Sequence, residues 1–235
     1  MARLTWDNQS ERFFETGIRQ GILFLKNDNG TYSTGIPWNG LISVSEKFTG
    51  ADPIHVYATD VPFLDIYELE EFGITIEAYT YPEEFEQCEG LYSVPNTPIS
   101  VAFQDRKRFA LCYKTMIGND TEGSEHACKI HIVYDCVVNP SDREYETFNA
   151  SPELVTFSWD ASTYAVNCSD YKQSPILILD SRKYPINKIE SYLYGTKTRD
   201  SYLPSFSEIV EYCSTHYLVT EDYDAILFGT TRILV

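Results

Sequence analysis

Three kinds of side chain in this sequence have the chemistry for catalysis or ligand binding: a run of acids, four histidines and six cysteines. Glu68, Glu70, Glu71, Glu77, Glu83, Glu84 and Glu86 crowd into one stretch with aromatic residues between them. Two carboxylates about 5–10 Å apart across a cleft hydrolyse a glycosidic bond, so a glycan hydrolase is one reading. Yet Glu83, Glu84 and Glu86 follow Pro82, and acids in a first helical turn are explained by the helix dipole alone. His126 and His131 are five apart on a predicted strand, which puts them on opposite faces, and His55 and His216 stand alone. A metal site needs ligands that converge. There is no G-x-S-x-G, no papain-like cysteine context and no glycine-rich phosphate loop. The residues therefore predict no catalytic, cofactor-binding or metal site, and the chain reads as something other than an enzyme.

The cysteines point the same way. Cys88, Cys112, Cys128, Cys136, Cys168 and Cys213 form no C-x-x-C pair, and most lie in apolar, strand-like runs. Such thiols act as small buried hydrophobes. Met-Ala-Arg-Leu-Thr-Trp-Asp has no apolar stretch of a secretory signal. No run approaches the roughly 20 apolar residues that span a bilayer. Folding in a reducing cytosol, with no membrane partner, is the expectation. Asn-x-Ser/Thr triplets at Asn8, Asn29, Asn119, Asn149 and Asn167 then read as turn chemistry.

Charge narrows the partners. The 235 residues carry 35 Asp and Glu against 18 Lys and Arg, a net charge of −17. Nucleic-acid binders neutralise phosphates with clustered cations, so an adhesive grip on DNA is excluded. An acidic surface repels DNA instead; it also keeps an abundant protein soluble.

The elements that must position these residues are strands. Eighteen Tyr and 13 Phe suit pleated, half-buried surfaces. Ile74, Ile76 and Ala78 oppose Thr75, Glu77 and Tyr79. Phe109, Leu111, Tyr113 and Thr115 oppose Arg108, Ala110, Cys112, Lys114 and Met116. Ile130, Ile132 and Tyr134 share a face, and Val155, Phe157 and Trp159 oppose Thr156 and Ser158. Period-two alternation predicts antiparallel sheets with one face buried and one polar. Asp28-Asn29-Gly30 reads as a hairpin turn, and Gly118 to Gly123 joins long strands over 108–117 and 126–138. Short helices are predicted over 81–86, 186–194 and 205–213. The last has Ser205 and Glu208 at capping-box spacing. Three segments look peripheral: an N-terminal arm over 1–19, a Pro- and Gly-punctuated but apolar stretch over 47–63, and residues 214–235. Between the arms, residues 20–213 read as one mainly β domain with one or two short helices.

Several runs follow one another in order across residues 18–213. They are Gly21-Ile-Leu-Phe-Leu, Gly35-Ile-Pro-Trp-Asn-Gly-Leu, Thr49-Gly50-Ala51, and Phe72-Gly73-Ile-Thr-Ile-Glu-Ala-Tyr-Thr-Tyr-Pro-Glu-Glu-Phe. Then come Ile117-Gly118-Asn119-Asp120, His131-Ile-Val-Tyr134, Asn149-Ala-Ser-Pro-Glu153, Phe157-Ser158-Trp159 and Leu193-Tyr194-Gly195-Thr196. Together they resemble the major tail tube (major tail) proteins of phages with long, flexible, non-contractile tails, the siphovirus type. The stretch after Gly50 and residues 214–235 depart from the pattern.

The resemblance implies a β-sandwich or half-barrel with a flanking helix and no covalent chemistry. It implies a virion tail protein assembled in the host bacterial cytoplasm. Six copies would close a ring whose inner strands form one β-barrel, and rings would stack into a hollow pipe that passes genomic DNA without specific binding. Tape measure, tail terminator and tail tip proteins would be its partners. On this reading 47–63 is an inter-ring loop, the strands 108–117 and 126–138 are candidates for lining the bore, and unpaired Arg108 or Lys114 there would be awkward. An alternative is a carbohydrate-binding β-sandwich that recognises a receptor, supported by the many Tyr and Trp.

Overall fold

Alternation over residues 109–138 builds the centre of the molecule. The computed structural model describes residues 4–50, 54–58, 60–66, 70–140, 154–168, 171–215, 225–228 and 231–234. Its first strands are β1 (Phe13–Leu25), β2 (Ile36–Trp38), β3 (Leu41–Thr49), β4 (Ile54–Ala58), β5 (Val61–Ile66) and β6 (Glu71–Ala78). A 3-10 turn at Glu83–Phe85 runs into α1 (Glu86–Glu89), followed by β7 (Tyr92–Ser93) and β8 (Ser100–Val101). Then come β9 (Phe109–Asn119), β10 (Gly123–Val138), β11 (Phe157–Thr163), β12 (Val166–Cys168), β13 (Tyr171–Ser174) and β14 (Ile176–Asp180). The chain continues through α2 (Asn187–Leu193) and α3 (Phe206–Thr215) to the hairpin of β15 (Ala225–Phe228) and β16 (Thr231–Leu234).

One antiparallel sheet runs in the order β2-β1-β9-β10-β11-β6-β3, and β14 joins it on β10. The edge of β10 is shared: Lys129–Val133 pair with β14, and Cys136–Val138 pair with β11. The path curls on itself, because every strand along it sends side chains into one core. Leu23, Trp38, Ile76, Leu111, Val133 and Trp159 are buried there, with Leu41 and Val44 of β3 against them. Phe85 and Cys88, around the start of α1, plug the same core. At the return of the curl β3 meets β1, where a Cβ on Gly21 would lie 2.8 Å from Leu41 Cδ2.

A second core lies on the other side of β1, β9, β10 and β14. Ile22, Phe24, Ala110, Cys112, Ile130, Ile132, Tyr134 and Leu179 face Ile189 and Leu193 of α2, Leu203, and Ile209 of α3. The expectation of one buried and one polar face is therefore corrected for the central strands. Phe109, Leu111 and Tyr113 enter the first core, and Ala110 and Cys112 enter the second. Small residues on the second face leave room for helices to pack close.

The mainly β class with short helices is borne out. Ser205 caps α3 as its spacing predicts: Glu208 accepts from the Ser205 N–H at 2.7 Å, and the Glu208 N–H donates to Ser205 Oγ at 3.3 Å. Helix α2 stops before Gly195, whose φ of +74° suits glycine. The expected arm over 1–19 differs in its second half, since Phe13–Arg19 pair with Lys114–Asn119 as the start of β1. Register shifts at Thr16/Ile18 and Arg19/Ile22 break the alternation there, which hides the strand. The 47–63 stretch contains the end of β3, β4 and the first half of β5, whose hairpin runs on to Ile66.

Candidate functional site

The side chains singled out for chemistry are distributed as structural ties. Glu46 on β3 accepts hydrogen bonds from His131 Nδ1 at 2.7 Å and from Tyr113 Oη at 2.6 Å. Thr115 Oγ1 lies 3.1 Å from His131 Nε2, and the imidazole stacks on Tyr113 at 4.8 Å between ring centroids. The His131 hydrogen bond, helped by that of Tyr113, holds the Glu46 carboxyl below its ordinary value against the pull of burial. Burial, reinforced by the bond to Glu46, pushes the Tyr113 phenol up. The order acid, imidazole, hydroxyl is that of a hydrolytic triad. His131 is 8% exposed and stacked on Tyr113, and the bonds tie β3 to β9 and β10.

His126 joins none of this. It contacts Glu122 at 2.8 Å and Asn119 at 3.3 Å beside the β9–β10 turn. Asn119 Oδ1 accepts the N–H groups of Thr121 and Glu122, and Asn29 Oδ1 accepts that of Thr31, the turn chemistry expected of both. Asn149 and His216 lie outside the described residues.

The acids scatter. Glu71 opens β6, Glu77 bonds Ser43 at 2.8 Å, and Glu83 and Glu84 are exposed beyond the far end of β6. That strand spans on the order of 25 Å. Glu89 accepts the Trp159 indole N–H, and Glu68 lies outside the described residues. Among the described residues no group of three or more His, Cys, Asp or Glu is placed to hold a metal ion. Cys88, Cys112, Cys136 and Cys168 are buried, and Cys128 and Cys213 half-buried, all as free thiols. Burial pushes the Cys88, Cys112 and Cys136 thiols up.

The cations on and beside the central strands are paired, Lys129 of β10 with Glu15 among them. Arg108 Nη1 lies 2.9 Å from Asp135, which also holds Lys26 at 2.8 Å. Arg108 also covers the Tyr164 ring at 4.2 Å. Lys114 bonds Glu190 of α2. Asp135 has a φ of +51° where β10 turns from β14 to β11, so a buried carboxylate held by two partly exposed cations sits at the fork of the sheet.

What remains open is backbone and apolar surface. Among the described residues, the half of β1 over Phe13–Arg19 is paired on one side, by β9, and β14 is paired on one side, by β10. Ser181 N–H and Pro175 C=O bond to β10, so the odd residues of β14 point inward and the N–H of Ile178 points away. Apolar side chains of the β4–β5 hairpin, including Ile54, Tyr57, Phe63 and Ile66, are exposed. A second exposed group was not anticipated: Tyr92, Ile99, Val101 and Phe103, on and just after β7–β8. Pro95-Asn96-Thr97-Pro98, with Tyr92 and Val94 before it and Ile99 and Val101 after it, was the turn signal for it.

No protein-family model matches the chain, and no curated protein matches it. Solved structures do resemble it. A chain of the PVC sheath-tube complex, from an extracellular contractile injection system, is 13% identical at a TM-score of 0.35, covering 68% of this chain and 88% of that one. A chain of the PVC sheath/tube terminator is 10% identical at 0.35, over 75% and 99%. The anti-feeding prophage tube-terminating cap gives 10% and 0.37, over 77% and 95%. Superpositions this loose carry neither fold nor role to this chain.

Proposed function

We propose that this protein is a structural subunit of a phage tail tube, of the siphovirus type, that closes into hexameric rings which stack around passing DNA. The observation that carries the reading is the four-stranded run β1-β9-β10-β14, open at both lateral edges among the described residues. Two open edges on one sheet let each copy add strands to the next, and a closed ring leaves no edge unpaired. The open half of β1 sits about five residues lower in register than β14, and a barrel of tilted strands needs such a stagger. The ordered run of sequence signatures supplies the tail tube assignment and the number six. Tape measure, terminator and tip proteins are the partners proposed with it.

The bore is not lined by the whole of 108–117 and 126–138, since Phe109–Tyr113 and Ile130–Cys136 are buried against protein on both faces. The pairing of Lys114 and Arg108 with carboxylates removes two cations that would hold phosphate. The net charge of −17 per copy favours sliding over adhesion. Catalysis has no part in this proposal.

Negative-stain electron microscopy of the concentrated protein, with and without residues 214–235, tests it. Hollow rings or tubes are expected. Ile178→Pro removes an N–H that points away from β10, so the fold should survive while rings are lost. A persistent monomer at high concentration, or rings that ignore Ile178→Pro, would overturn edge-to-edge closure, and glycan binding would be tested next.

A further inference from the structure

The two exposed apolar groups lie at opposite ends of the β3–β6 ladder. Thr49 pairs with Glu71 at one end, from which β4–β5 extends; Leu41 pairs with Ala78 at the other, beyond which the chain runs through α1 into β7–β8. Both groups are exposed in the single copy, so neither covers the other.

The far spur is built to present an aromatic ring. Phe103 is 102% exposed and holds a φ of +62°, a conformation that strains a bulky side chain. The loop is pinned around it: Gln104 N–H donates to Gly90 C=O at 3.0 Å, and Lys107 N–H donates to Gln87 C=O at 3.0 Å. Arg106 Nη1 donates to Val138 C=O at 2.6 Å. Gly90 itself has a φ of +81°, and a Cβ there would meet Gln104 O at 2.7 Å. Strain and full exposure together are expected at a contact site, not at an idle loop.

We propose that this spur, with Phe103 as its anchor, receives the β4–β5 hairpin of a second copy of the chain, so that copies dock head to tail along the tube axis. The proposal rests on the tube reading and names the surface that meets each hairpin. A contact between opposite ends of identical chains is heterologous, and it propagates as an open stack. The area is sufficient. Tyr57 and Phe63 are 64% and 68% exposed, and aromatic side chains bury about 150–250 Å² each. With Phe103, Tyr92 and the aliphatic neighbours, the two patches hold on the order of 1,000 Å² of apolar surface. That is about what a specific interface must bury.

The test uses the full chain in two parts. Phe103→Asn keeps a residue that tolerates positive φ and removes the ring. Melting should be unchanged, single rings should persist, and stacked tubes should fall at least about tenfold by electron microscopy. A photo-crosslinking phenylalanine analogue at position 103, in a mixture of light and ¹⁵N-labelled protein, should give inter-copy adducts within residues 54–66. Tubes as long as wild type with Phe103→Asn, or adducts mapping elsewhere, would overturn the proposal while leaving the ring reading intact. Absence of any ring in the wild type would overturn both.

Discussion

Glu46, the one carboxylate on β3, ties three strands together, because it takes hydrogen bonds from two residues on two other strands, His131 and Tyr113. Its carboxyl is held below the ordinary 4.5, chiefly by the His131 bond. A depressed folded-state value means the stabilisation is complete above the ordinary value and is lost as pH falls through the lower one. Glu46→Gln should therefore cost about 1–3 kcal/mol at neutral pH. It should also flatten the loss of stability expected of the wild type as pH falls below about 4.5. Urea melts at pH 7 and at acid pH measure both; an equal acid slope in the two proteins would place the pH dependence elsewhere. Nothing local in the sequence announces this cluster, since Glu46 and His131 are 85 residues apart. Alternation finds the strand that carries His131, but only register can find its partner.

Elements were more legible than contacts. Period-two patterns at 74–78, 109–115 and 130–134 all become strands, and the capping-box spacing at Ser205 marks α3 to within a residue. Ser205→Ala should cost about 1 kcal/mol, read as a shift in melting temperature of a few degrees, because Ser205 Oγ accepts the Glu208 N–H. An unchanged melting curve would mean that α3 frays without consequence for the second core. The pattern misled where two layers share a strand. Ala110 and Cys112 read as the polar side of β9, yet they are small enough to sit under α2 and α3, while Lys114 reaches the rim and Glu190. It also failed at β1, whose exposed first half has bulges and no buried face to impose alternation. The candidate site was half visible. The apolar content of 47–63 marks one of the two proposed docking surfaces, whereas Phe103 is a single residue whose exposure and backbone strain exist only in three dimensions.

At the scale of the whole molecule, assembly must overcome charge. Each copy brings −17, so a ring of six would carry on the order of a hundred net negative charges. Coulomb repulsion between copies is long-ranged and screened by salt, with a Debye length of about 30 Å at 0.01 M and about 10 Å at 0.1 M. The contacts proposed to hold copies together are strand hydrogen bonds and apolar patches, which salt weakens little or strengthens. Raising sodium chloride from about 10 mM to about 300 mM should therefore increase the assembled fraction, as read by sedimentation and checked by microscopy. Phe103→Asn should blunt the tube component of that response and leave the ring component in place. The reverse outcome, in which salt dissolves rings and tubes, would mean that cations such as Lys183, Lys197 and Arg199 bridge copies through ion pairs. The lateral and axial contacts argued from open edges and apolar spurs would then be wrong in kind.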